Sequence, residues 1–155
     1  MFWFRLEQCN NVLLRTFARM VCFTLSYWLH INIDRHTQIG YGFFIVHGGP
    51  VVINVSAKIG NNVDMYQFST IGSSCLHAAT IEDEVYIGPS VCIVEDVHIG
   101  KGATIGAGAV VVKDVEPGVT VAGNPAHVIS RKEPGRLIFH KWDRSMNFLQ
   151  NSSKR

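Results

Sequence analysis

Residues 81–115 read IEDEVYIGPSVCIVEDVHIGKGATIGAGAVVVKDV. Ile81, Ile87, Ile93, Ile99, Ile105 and Val111 recur every six positions, and four residues after each stands a small or β-branched side chain: Val85, Val91, Val97, Ala103, Ala109 and Val115. A helix repeats near 3.6 residues and a strand near 2, so a locked period of six is neither alone. It describes a short strand followed by a corner. Three such units close a triangular coil, and stacked coils bury the isoleucines as a ladder, the pattern of a parallel β-helix.

The same register runs upstream. Ile33, Ile39 and Ile45 step by six, and so do Ile53, Ile59, Met65 and Ile71. Two interruptions break it. Two residues are inserted around Gly48, Gly49 and Pro50, and the loop SSCLHAAT (73–80) separates Ile71 from Ile81. Insertions in repeat proteins map to loops on one face, often the binding face. His47 stands beside the first interruption and His77 within the second.

Three segments are expected: an N-terminal amphipathic helix over 1–30, the β-helix over 31–130 and a basic tail over 131–155. In the first, Leu13, Phe17, Met20, Val21, Leu25 and Trp28 follow helical spacing, with Arg15 and Arg19 on another face. Such a helix serves as a cap on the open end of a solenoid. Lying on a membrane surface is the alternative, with Phe2, Trp3, Phe4 and Arg5 beside it. The charge-free run 20–33 is too short to span a bilayer. The tail holds seven Lys and Arg against Glu133 and Asp143; Leu137, Ile138, Phe139 and Trp142 are expected to dock it on the body, and its end, NSSKR, to fray.

With 155 residues the chain makes one domain, and a net charge of +2 argues against nucleic acid as a partner. Cys9, Cys22, Cys75 and Cys92 form no CxxC pair, so free thiols and a cytoplasmic location are expected, with Cys92 a small core residue.

Four stretches carry a resemblance: IGYGFFIVHGGPVVI, AKIGNNVDMYQFSTIG, EVYIGPSVCIVEDVHIG and ATIGAGAVVVKDVEPGVTVAGNPAHVI. Together they are similar to the hexapeptide-repeat acyltransferases and, within them, the serine acetyltransferases. The resemblance implies a left-handed parallel β-helix, an all-β fold. It also implies a homotrimer with active sites between subunits, and acetyl-CoA as co-substrate with no metal. His47 matches the family's catalytic base. Asn32 falls where the family has the carboxylate that orients that base, and Val46 where it has a carboxylate contacting the amino-acid acceptor. His77 lies near the family's second substrate-contacting histidine, out of strict register. The family's long helical domain is replaced here by room for about one helix. Gly72, Pro89, Ala107 and Ala109 match positions along the pantetheine arm, and Lys113 and Arg131 match cations that meet the CoA phosphates.

The chemistry fits these residues. An alcohol attacking a thioester must lose its proton, and a neutral imidazole with a pKa near 6.5 suits that task. The imidazole needs an orienting group. Asn32 and Asp34, two apart on one strand, are the nearby choices; an amide cannot stabilise imidazolium by charge, and in serine proteases an Asp-to-Asn change at that place costs about 10⁴ in rate. Backbone N–H groups near Gly48 and Gly49 suit an oxyanion. Val46 cannot pair the ammonium of free serine. A sugar or polysaccharide-precursor hydroxyl is therefore the expected acceptor, with Tyr41, Phe43 and Phe44 near enough to pack on a sugar ring; L-serine is the alternative. Two other classes compete: a zinc hydratase of the γ-carbonic-anhydrase kind, for which no close histidine pair is present, and a non-catalytic scaffold.

Overall fold

The computed structural model describes residues 2–132, 138 and 141–142. Among them, short strands stack into the three faces of a parallel β-solenoid of about five turns. One face holds Ile31–Ile33, Val51–Ile53, Thr70–Gly72, Cys92–Val94 and Val110–Val111. The second holds Gln38–Ile39, Lys58–Ile59, Thr80–Ile81 and His98–Ile99. The third holds Phe44–Val46, Asp64–Tyr66, Tyr86–Ile87, Thr104–Ile105 and Thr120–Ala122, with His127–Ser130 added antiparallel at its end.

The register accounts for both interruptions. Ile33 pairs with Ile53, twenty positions on, and Ile53 with Ile71, eighteen on. Ile71 pairs with Ile93, twenty-two on, and Ile93 with Val111, eighteen on. An undisturbed coil is therefore three hexads, and the two longer ones eject their extra residues at corners without disturbing the stack. Every ladder position from Ile81 to Val115 is buried. Each inward Ile contributes about 1.5–3 kcal/mol by leaving water. At Gly40 a Cβ would lie 2.4 Å from the Gly60 carbonyl oxygen, so successive coils close on each other there only because the side chain is missing.

The N-terminal segment forms two helices, α1 (Phe2–Leu6) and α2 (Val12–Leu29), not one. Asn11 starts α2 by accepting from the Leu13 and Leu14 N–H groups at 3.1 Å, and His30 ends it in the left-handed conformation. The expected cap is supplied by α1. Its Phe4 packs against the first coil with Ile31, Ile33 and Ile45, and Arg5 donates to the carbonyls of Ile39 and Gly40 at 2.7 and 2.6 Å. The longer helix, α2, buries only Ala18. It has 18 residues and, by length and composition alone, is enough to cross a membrane, more than the run 20–33 suggested.

Three further expectations change. Cys92 is half-buried on the outward face, because it precedes the inward Ile93 in its strand. Tyr41 is occupied: the Arg5 guanidinium lies 4.7 Å from its ring centre and Trp142 stacks on it at 4.6 Å. Phe43 belongs to the core, while Phe44 is exposed on the third face. The tail docks as expected through buried Ile138 and through Trp142, whose backbone N–H and C=O both bond the Asn62 side chain, at 2.5 and 3.1 Å. Leu137, Phe139 and the end NSSKR lie outside the described residues.

Candidate active site

His47 follows the strand Phe44–Val46 at the corner where the chain passes from the third face to the first. Its φ is 64° and that of Gly48 is 58°. Histidine tolerates this left-handed conformation better than most residues, and Gly adopts it freely. The two consecutive left-handed residues throw the His47 side chain outward, and it is exposed. Its ring meets Tyr66 edge-on, with centroids 5.8 Å apart and planes at 68°. Tyr66 lies beside Val46 in the neighbouring strand and in turn meets Tyr86 at 5.1 Å. Burial first, then Tyr66 and the Asp64 carboxylate, pushes the Tyr86 phenol up to about 12, so it stays a neutral hydroxyl.

Beneath His47 the corner is tight. A Cβ on Gly49 would lie 2.4 Å from the Gln67 Cβ, so Gln67 packs directly against that glycine. The Gln67 Oε1 is buried without a partner among the described residues. Neither the Gly48 nor the Gly49 N–H donates a hydrogen bond among the described residues. Two backbone donors without partners among the described residues therefore follow the exposed imidazole directly in the chain.

This corner begins a column. Phe68 N–H bonds the Pro50 carbonyl at 2.6 Å, Ser90 N–H the Gln67 carbonyl at 3.0 Å, and Gly108 N–H the Pro89 carbonyl at 2.9 Å. His47, Gln67, Pro89 and Ala107 thus share the edge between the third and first faces. Pro89 is half-buried and Ala107 exposed, and both are small enough to leave the edge open. Ala109 is different. It is fully buried, its N–H donates to Gly106 at 3.2 Å and its carbonyl accepts from Cys92 at 2.9 Å, so it offers a ligand no free group.

The remaining expected site residues stand elsewhere. Asn32 is exposed in mid-strand beside Val52, on the first face, and bonds nothing on His47 among the described residues. It lines a cavity of about 610 Å³ between the helices and the first coil, where Arg19 and Asp34 are also found. Asp34 sits at the far edge of that face, where its Oδ1 accepts from the His36 N–H at 2.8 Å in a local turn. Asp34 and His47 thus stand on different edges of the coil, and the ring contact of His47 among the described residues is with Tyr66.

That far edge also carries Gly72, the loop 73–79 and Lys113. Glu95 ties the loop down. Its carboxylate accepts from Ser73 Oγ at 2.9 Å, Ser74 Oγ at 2.8 Å and Ser74 N–H at 3.4 Å. The same Ser73 hydroxyl, with one proton to give, lies 2.7 Å from the His77 carbonyl, so Glu95 and the backbone of exposed His77 meet at one side chain. The hydrogen bonds from Ser74, then Cys75 and Ser73, hold the Glu95 carboxyl down to about 2. The Cys75 thiol is pushed up by its hydrogen bond to Glu95 and by that charge. Gly72 is roomy, since a Cβ there would touch only Thr70 Cγ2 at 3.6 Å. Lys113 is exposed with no ion-pair partner among the described residues. Arg131 lies at the third edge in a two-pronged pair with Glu116. Among the described residues no three His, Cys, Asp or Glu side chains come together as a metal site.

Sequence reasoning thus picked out His47, Pro89 and Ala107, which share one edge, and His77, Gly72 and Lys113, which share another. It passed over Tyr66, Tyr86 and Glu95. Tyr66 carries a usable signal, twenty residues after Val46, one coil length in this part of the chain.

Residues 78–113 match the bacterial transferase hexapeptide family (six repeats). The serine acetyltransferase of Bacillus licheniformis is 37% identical over 116 residues, covering 72% of this chain and 54% of that protein. That of Bacillus subtilis is 35% identical with the same coverage. Among solved structures, serine acetyltransferase of Neisseria gonorrhoeae in complex with serine is 35% identical with a TM-score of 0.66, covering 72% of this chain and 47% of that one. The soybean enzyme complexed with serine is 31% identical with a TM-score of 0.69, covering 82% and 53%. This chain therefore spans about half the length of the relatives it matches.

Proposed function

We propose that this solenoid is the catalytic part of an acetyl-CoA-dependent O-acetyltransferase in which His47 is the general base. The observation that carries the reading is the exposed imidazole at the foot of a column of small corner residues, flanked by the Gly48 and Gly49 N–H groups, which donate to nothing among the described residues. The imidazole takes the proton of an acceptor hydroxyl as its oxygen bonds to the acyl carbon. The carbonyl oxygen, gaining charge, lies against the two glycine N–H groups. The carbon–sulfur bond then breaks, and the proton passes from the imidazolium to the departing sulfur. Pro89 and Ala107 leave space for the pantetheine arm, and Lys113, on the loop edge that a neighbouring copy would bring to this column, supplies positive charge for the CoA phosphates, whereas Arg131 is taken up by Glu116 on the third edge.

Serine is the better-supported acceptor, since the relatives and solved structures above are named for it. This reverses the preference for a sugar drawn from Val46. One observation keeps the sugar as a second reading: Val46 is half-buried beside Tyr66 and has no charge for an ammonium group. The active unit is a homotrimer in this proposal. His47 and His77 occupy two edges separated by the first face, so they meet only if a neighbouring copy brings its loop edge to the His47 edge.

The test is release of free thiol from acetyl-CoA with L-serine and with a panel of monosaccharides and nucleotide sugars. Serine-dependent release supports the first reading and sugar-dependent release the second. Release with no acceptor in the panel, or none at all, overturns both.

A further inference from the structure

The helix α2 is inverted relative to a surface helix of a globular protein. Such a helix buries its apolar stripe and exposes its polar one. Here Leu13, Phe17, Met20, Phe23, Tyr27 and Trp28 are 84, 53, 64, 76, 74 and 74% exposed. At 3.6 residues per turn these six lie within about 140° of the helix circumference. The only polar groups inside that arc are the hydroxyls of Thr16 and Thr24, apart from the Tyr27 hydroxyl and the Trp28 indole N–H. Both threonine hydroxyls are turned back onto the helix, Thr16 to the Val12 carbonyl at 2.8 Å and Thr24 to the Met20 carbonyl at 2.9 Å. The arc therefore presents almost no unsatisfied donor or acceptor, as a face meeting a non-aqueous phase requires.

Charge selects what covers it. No Asp or Glu occurs in α2, and Arg15 and Arg19 flank the arc on the side toward the body. Two copies of α2 docking face to face would bring these arginines together with no acid on either helix to pair them. An anionic lipid surface pairs exposed Arg19 with phosphate, Arg15 being half-buried toward the body, while the arc enters the acyl boundary with Tyr27 and Trp28 at the headgroup level. Phe2, 68% exposed on the adjoining α1, adds a further apolar anchor. We propose that α2 is a membrane-surface anchor that lays its Leu13–Trp28 face into an anionic bilayer, holding the solenoid at the membrane.

The experiment is co-sedimentation of the full chain with phosphatidylcholine vesicles, with and without phosphatidylglycerol, at low and high salt. The size of the free protein is measured in parallel for wild type and for Phe23→Asp with Tyr27→Asp. Both positions are exposed, so the solenoid keeps its circular dichroism. Wild type is expected to bind the phosphatidylglycerol vesicles, more weakly at high salt, with the double variant at least about tenfold weaker and unchanged in size. Failure of wild type to bind either vesicle overturns the proposal. So does equal binding by the double variant, or a fall in its oligomeric size, which would assign the face to a second copy of this chain.

Discussion

The His47 imidazole leans edge-on against the Tyr66 ring, 5.8 Å between centroids, and no carboxylate among the described residues bonds it. An aromatic contact holds a ring in place but gives no charge to an imidazolium. An edge-to-face pair is worth about 0.5–1.5 kcal/mol, which corresponds to roughly two- to tenfold in rate if it is lost. Tyr66→Leu is expected to lower kcat by that factor with the KM for acetyl-CoA unchanged, and Tyr66→Phe to stay within about twofold of wild type. Steady-state kinetics of the two variants decide it. Equal losses in both would move the role from the ring to the hydroxyl.

Glu95 gives a prediction in pH. Its carboxyl is held below the ordinary 4.5, at about 2, by the hydrogen bonds it accepts from the 73–75 backbone and hydroxyls. The depressed value means the ordered loop favours the ionised form. That contribution is complete above about 4.5 and is lost as pH falls toward 2. The Ser74 amide resonance is expected to titrate with a midpoint near 2 and not near 4.5.

The same contact shields a thiol. Cys75 is pushed up by Glu95, so less thiolate is present at neutral pH. Glu95→Gln is expected to speed alkylation of Cys75 by iodoacetamide, followed by peptide mass spectrometry, while half-buried Cys92 reacts as before. An unchanged Cys75 rate would remove Glu95 from the account of the loop.

Stability is set by the ladder. Ile87 is fully buried, and Ile87→Ala is expected to cost about 2–5 kcal/mol in urea unfolding. Ile129, 59% exposed on the added antiparallel strand, is the control, and its alanine variant is expected within about 0.5 kcal/mol of wild type.

The period of six was enough to read the solenoid, because one side chain per face must point inward and the isoleucines, with Met65 and Val111, mark it on either side of two interruptions. Both insertions were legible for the same reason: each breaks the count, and each appears in the register as a coil longer than eighteen. The edge shared by His47, Pro89 and Ala107 follows from that register too. What the spacing does not carry is contact across coils. Tyr66 meets His47 and Glu95 meets the 73–75 loop only after stacking, twenty or so residues apart in sequence. Asp34 looked like an orienting group because it lies near Asn32 in the chain, yet the coil places it on the opposite edge. The helix α2 was read correctly as apolar on one side, but which side faces the body is set by α1, whose Phe4 occupies the end of the core.

The most direct measurement is turnover of His47→Ala, with acetyl-CoA and whichever acceptor gives wild type its higher rate. The account predicts a fall of about 10²–10⁴ in kcat with the solenoid's circular dichroism retained, because His47 is exposed and its loss opens no hole in the core. Turnover close to wild type would contradict it and return the corner to a purely structural role.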